Sequence, residues 1–135
     1  MPNRTSAAPG AATLVGAEPQ LYVRDLAAAA AFYARTLGFA VAFTYGEPPF
    51  YGQVVRGGAR LNLRQVDAPV VDPARRDAER LLAASLTLED AEPLFREYQA
   101  AGADVVQPLR TEPWGARTFV VRDLDGNLLL FAGRG

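Results

Sequence analysis

The sequence contains no cysteine, no histidine and no lysine among its 135 residues. Without Cys there are no disulfides, thiolate nucleophiles or thiolate metal sites. Without His, the commonest general base and the commonest transition-metal ligand are missing. Without Lys, Schiff-base chemistry is closed, and all 14 cationic side chains are Arg. Any chemistry here must come from carboxylates, Tyr, hydroxyls or Arg. No apolar run approaches the ~18–20 residues of a membrane span. The opening MPNRTSAAPGAATLVG has neither the basic start nor the long apolar stretch of a secretory signal. It reads as a disordered tail over residues 1–16, and the protein is expected to be cytoplasmic. Net charge is −1 with both signs interspersed, so no basic stripe is present for nucleic acid.

What is present is a repeat. VRDLAAAAAFYARTLGFAV (Val23 to Val41) has a weaker partner in LEDAEPLFREYQAAGADVV (Leu88 to Val106), pairing Asp25 with Asp90 and Gly38 with Gly102. VVRGG from Val54 is matched by VVRDLDG from Val120 at nearly the same offset. Several matches at one long offset indicate two tandem modules. In each, an Asp caps a helix, a stripe with three- and four-residue spacing follows, and a Gly ends it. Leu26, Ala29, Ala30, Tyr33 and Leu37 form the first stripe; Leu94, Phe95, Tyr98 and Ala101 form the second. Strands follow: Phe39–Tyr45, Tyr51–Arg56 and Arg60–Val66, then a short strand at Val105–Val106, Arg117–Arg122 and Asn127–Ala132. The turns between strands fall at Gly57-Gly58 and Asp123–Gly126. The expected layout is a first βαβββ module over 17–66, a linker over 67–80 and a second module over 81–135, in one α+β domain.

The segments YVRDLAAAAAFYARTLGF (Tyr22 to Phe39) and EPWGARTFVVRDLDGNLLLF (Glu112 to Phe131) resemble the opening and closing motifs of the glyoxalase/bleomycin-resistance/extradiol-dioxygenase (vicinal oxygen chelate) superfamily. Leu124 departs from the family's usual Pro. The resemblance implies two tandem βαβββ modules forming a curved mixed sheet around a cavity, with helices outside and a homodimer as the common assembly. Enzymes of the family hold a divalent metal on four strands. Counting from the motifs, those positions are Glu18, Asn62, Ala83 and Leu130. Two of them cannot ligate, so no metal and no cofactor are expected. The metal-free bleomycin-resistance-like members are the nearest match.

Strand alternation assigns a cavity wall. Glu18, Gln20 and Tyr22 fall on one face of the first strand, and Arg60, Asn62 and Arg64 on one face of the fourth. Ala83, Ser85 and Thr87 follow on the fifth, and Leu128, Leu130 and Ala132 on the last. Phe43, Tyr45, Phe50, Tyr51 and Trp114 lie on or beside rim loops, where each either stacks on ligand or packs in the core. Ligand-contact candidates are therefore Gln20, Tyr22, Tyr45, Phe50, Tyr51, Asn62, Arg64, Ser85 and Trp114. Glu18 and Tyr22 are weak catalytic candidates, and Glu47 and Glu112 read as solvated loop carboxylates. The expected function is binding of an aromatic or natural-product-like small molecule, such as antibiotic sequestration, with no membrane or nucleic-acid partner. The alternative is an enzyme of the same superfamily (lyase, isomerase or dioxygenase), either metal-free or with an atypical metal site. A bleomycin-type cargo is cationic, and Arg60 and Arg64 on the expected face argue against that particular ligand.

Overall fold

The computed structural model describes residues 10–134. Residues 1–9 of the expected tail lie outside them; residues 10–16 carry no helix or strand. The chain runs β1 (Gln20–Val23), α1 (Leu26–Arg35), β2 (Ala40–Tyr45), β3 (Tyr51–Arg56), β4 (Ala59–Gln65), α2 (Pro73–Glu79), β5 (Leu82–Asp90), α3 (Ala91–Ala100), β6 (Asp104–Thr111), β7 (Arg117–Arg122) and β8 (Leu128–Arg134). Two four-stranded mixed sheets result, ordered β1-β4-β3-β2 and β5-β8-β7-β6. The β1–β4 and β5–β8 pairs are parallel and the others antiparallel. This is the duplicated βαβββ architecture that the repeat predicted.

The two main helices start for the same reason. The Asp25 carboxylate accepts from Ala28 N, and Asp90 from Glu92 N, each satisfying an N–H that the first turn leaves free. Gly38 (φ +74°) and Gly102 (φ +75°) turn the chain out of each helix. β6 extends to Thr111 rather than stopping near Val106. Pro108 is tolerated there because β6 is an edge strand, where a missing N–H costs no ladder bond.

Each sheet buries one face under its helix. Leu21, Val23, Leu61, Leu63 and Val54 pack against Leu26, Ala29 and Tyr33 of α1, and Leu86, Phe119 and Phe131 pack against Tyr98 of α3, all in one continuous core. The Phe119 and Phe131 rings stack at 5.0 Å. Burial of such side chains contributes about 1.5–3 kcal/mol each.

The modules are joined by the repeated tyrosines. The buried Tyr33 hydroxyl donates to Asp123 Oδ2 (2.7 Å) in the β7–β8 turn, and the Tyr98 hydroxyl donates to the Leu37 carbonyl (2.7 Å). Burial pushes Tyr33 well above the ordinary tyrosine range, with the Asp123 charge reinforcing it. Burial likewise pushes Tyr98 up to about 12. Asp123 is itself raised by desolvation, although Tyr33, Asn127 and Asp125 all donate to it. A bidentate pair from Arg56 to Glu97 (2.6 and 2.9 Å) closes the outer side of the junction.

Candidate functional site

The faces turned away from the helices are open, and strand register fixes their content. On the first sheet Gln20 lies opposite Asn62, Asn62 opposite Gln53 and Gln53 opposite Phe43. One row further along, Tyr22, Arg64, Tyr51 and Tyr45 are paired in the same way. Directly paired residues share a face with Cβ atoms about 4.5–5.5 Å apart. Six of the ligand-contact candidates (Gln20, Tyr22, Tyr45, Tyr51, Asn62 and Arg64) therefore occupy one continuous surface.

Large aromatics are left exposed on it: Tyr22 is 40% exposed, Phe43 44% and Tyr45 67%. Phe50, in the β2–β3 connection, packs edge-on to Tyr45 at 5.6 Å and is 46% exposed. Phe43 and Tyr51 are in tilted contact at 6.2 Å. These rings are not core residues. Gly46 (φ +105°) shapes the connection, where a Cβ would lie 2.4 Å from the Phe50 ring.

The polar row is internally bonded. Glu18 Oε1 accepts from Gln53 Nε2 (3.1 Å) and Asn62 Nδ2 (3.1 Å), while Gln53 Nε2 also donates to Asn62 Oδ1 (2.9 Å). Gln53 and Asn62 are both buried. Sequence reasoning missed Gln53. The signal was there: Tyr51 and Gln53 alternate on β3, so a rim aromatic at Tyr51 puts Gln53 on the same face.

The second sheet presents different chemistry. Its rows on the side away from the helix are Ser85, Leu130, Val120 and Gln107, then Thr87, Ala132, Thr118 and Arg110, of which Val120, Gln107 and Thr118 are buried. Ala83 does not join them. A register shift between Leu82 and Ala84 breaks the alternation, and Ala83 is half-buried against the core instead of standing on the cavity wall. Glu112 is not a solvated loop carboxylate. It is buried, accepting from Arg110 Nε and Thr118 Oγ1 (3.2 Å), and the Arg110 hydrogen bond holds its pKa below the usual carboxylate range. Glu47 is exposed, as expected. Trp114 does not plug the core; it is 74% exposed, beside a hollow of about 680 Å³ lined by Thr87, Ala132 and Arg134.

The four positions implied for a metal do not form one set within the chain. Glu18 and Asn62 meet on the first sheet, whereas Leu130 lies opposite Ser85 on the second. A groove of about 810 Å³ at the module junction is lined by Phe39, Arg60, Leu61, Ser85, Leu94 and Tyr98, but by none of those four. The donors present are one carboxylate and two amides that already bond to each other, and Ala83 and Leu130 offer no lone pair. A second copy of the chain would bring the same side chains, with no His or Cys. A divalent ion needs several oxygen or nitrogen ligands to replace its water, so these residues do not fit one. Among the described residues no group of three or more Asp or Glu is placed to hold a metal ion.

Comparison with known proteins places this geometry in context. The sequence model of the Glyoxalase/Bleomycin resistance protein/Dioxygenase superfamily matches residues 14–131. No curated protein sequence matches the chain. Among solved structures, TioX from Micromonospora sp. ML1 is 26% identical over 87% of this chain and 97% of its own, with a TM-score of 0.69. The bleomycin-binding protein of bleomycin-producing Streptomyces verticillus, solved with copper(II)-bleomycin, is 24% identical over 93% of this chain and 99% of its own, with a TM-score of 0.71. A glyoxalase-related enzyme from Clostridium phytofermentans is 18% identical over 95% and 100%, with a TM-score of 0.73. A bleomycin-binding protein and a glyoxalase-related enzyme thus share the fold. The chain belongs to the Glyoxalase/Bleomycin resistance protein/Dioxygenase superfamily.

Proposed function

We propose that this chain is a small-molecule-binding protein that holds an aromatic, natural-product-like ligand without altering it, with no resident metal, and that it works as a homodimer. The observation that carries this reading is the open face of the first sheet. Exposed Tyr22, Phe43, Tyr45 and Phe50 surround a bonded polar row, where a protein with no partner would ordinarily avoid so large an apolar patch. Rigid aromatics with a few fixed polar groups are what a small-molecule site needs for area and orientation. The S. verticillus protein binds a natural product on the same fold, so the architecture accommodates such a ligand. The corresponding rows of the second sheet, and Trp114, would supply the opposite wall from a second copy.

An enzymatic reading has less to work with. Glu18 is the one carboxylate on the polar row, and its Oε1 is held by two amide hydrogen bonds, from Gln53 and Asn62. No nucleophile–base pair faces it. Titrating natural products, bleomycin among them, while following fluorescence of the single Trp tests the proposal. Saturable binding with unchanged ligand on recovery is expected. Turnover of the ligand, or stoichiometric tightly held metal in the purified protein, would overturn it.

A further inference from the structure

One row of the open face of the first sheet sets a cation among tyrosines. Register places Arg64 on β4 directly between Tyr22 on β1 and Tyr51 on β3, with Tyr45 next beyond Tyr51. Among the described residues Arg64 makes no ion pair and no side-chain hydrogen bond, and it is exposed. The arginines that serve the fold differ in this respect: Arg56 is held by Glu97, Arg110 by Glu112, Arg117 by Glu92 and Arg122 by Asp104. The other charges on the face do not cancel it. Glu18 lies two rows away along β1, engaged with Gln53 and Asn62, and on β4 the residue two rows back is Arg60, a second cation.

Resting on the ligand-binding reading above, we infer that the ligand is a flat aromatic anion: a conjugated ring carrying a carboxylate, sulfonate or acidic phenol. The ring lies on the tyrosines, and its acid group is received by the Arg64 guanidinium. A planar guanidinium presents paired donors that match a carboxylate bidentately, which an ammonium could not do. Flanking rings remove water from both sides of that pair and strengthen it relative to an open surface. The Tyr51 hydroxyl donates to Gln20 Oε1 (3.4 Å) in the neighbouring row, which ties the ring of Tyr51 to β1. A cationic aromatic would find the rings but would meet Arg64 with no carboxylate in that row, and like charge would exclude it.

Three matched probes test this: anthraquinone-2-carboxylate, its carboxamide and 2-(aminomethyl)anthraquinone, titrated by calorimetry into the intact protein at neutral pH. The carboxylate is expected to bind roughly 10- to 100-fold tighter than the amide, the range of one charge-assisted hydrogen-bonded pair, and the amine weakest. Arg64→Gln should abolish the preference for the acid over the amide. Near-UV circular dichroism of Arg64→Gln is expected to match the parent, since the side chain is exposed and unpaired. Equal binding of acid and amide, tightest binding of the amine, or an unchanged preference in Arg64→Gln overturns the anion assignment while the binding reading stands. If none of the three binds and no natural product does, the binding reading fails and this inference falls with it.

Discussion

The two halves of the chain repeat one unit, and they differ almost entirely on one side of it. Compare the rows that face the helices: Leu21 and Leu63 in the first sheet correspond to Leu86 and Phe131 in the second, and the buried Tyr33 and Tyr98 occupy the same place on their helices. The open rows diverge. Gln20, Asn62 and Gln53 face Ser85, Leu130 and Val120 in the corresponding row, and Tyr22, Arg64 and Tyr51 face Thr87, Ala132 and Thr118. A helix-covered face admits only side chains that fill a close-packed interface, so both halves remain apolar there. An open face carries no such restriction. It is where one half gathered aromatic side chains and amides and the other, in the same places, small hydroxyl and aliphatic side chains without an aromatic.

That comparison can be broken at the junction first. Asp123 in the second half accepts from the Tyr33 hydroxyl, from the amides of Asp125 and Asn127 and from Asn127 Nδ2. Asp123→Ala removes all four acceptor contacts and leaves a buried phenol without a partner, so a loss of about 3 kcal/mol is expected in urea denaturation. A loss below ~1 kcal/mol would mean that this turn does not hold the halves together. The two tyrosines should then separate. Tyr33→Phe removes a donor to an acid and should cost about 1.5–3 kcal/mol, Tyr98→Phe a bond to a neutral carbonyl and about 1 kcal/mol. Equal values would show the ties to be equivalent.

A smaller effect sharpens the contrast between the faces. Tyr51→Ala should weaken an aromatic ligand by roughly tenfold, a loss in keeping with one stacked ring. The smallest effect is on acid stability. The hydrogen bond from Arg56 holds Glu97 below the usual carboxylate range, so its contribution is present above the unfolded pKa of ~4.3 and is lost as pH falls through the lower folded value. Glu97→Gln should therefore flatten the decline in stability on acidification. Asp123 has the opposite sign: its raised pKa means the folded state keeps a proton that the unfolded chain has already released, so its contribution declines as pH rises above ~3.9. A pH series on Glu97→Gln beside the parent separates the two.

Much of this was legible before any coordinates. Asp caps, three-and-four spacing and terminal glycines are local chemistry, so the helices and the duplication could be read directly. Two-residue alternation placed Gln20, Tyr22, Asn62 and Arg64 on one face, because adjacent side chains on a strand must point to opposite sides. Ala83 was misplaced because a bulge adds one residue to a strand, and nothing in LLAAS marks which one. Glu112 was misread because its burial depends on Arg110 and Thr118, brought to it by the β6–β7 pairing.

The sequence by itself determined the duplicated fold, the superfamily and the poverty of metal donors, since each follows from residue type and near-neighbour spacing. Only the tertiary structure decided that Tyr33 reaches Asp123, that Gln53 joins Glu18 and Asn62, and that Arg64 stands unpaired among tyrosines. Those depend on strand register and on contacts between distant segments, which long-range packing sets and local periodicity does not encode.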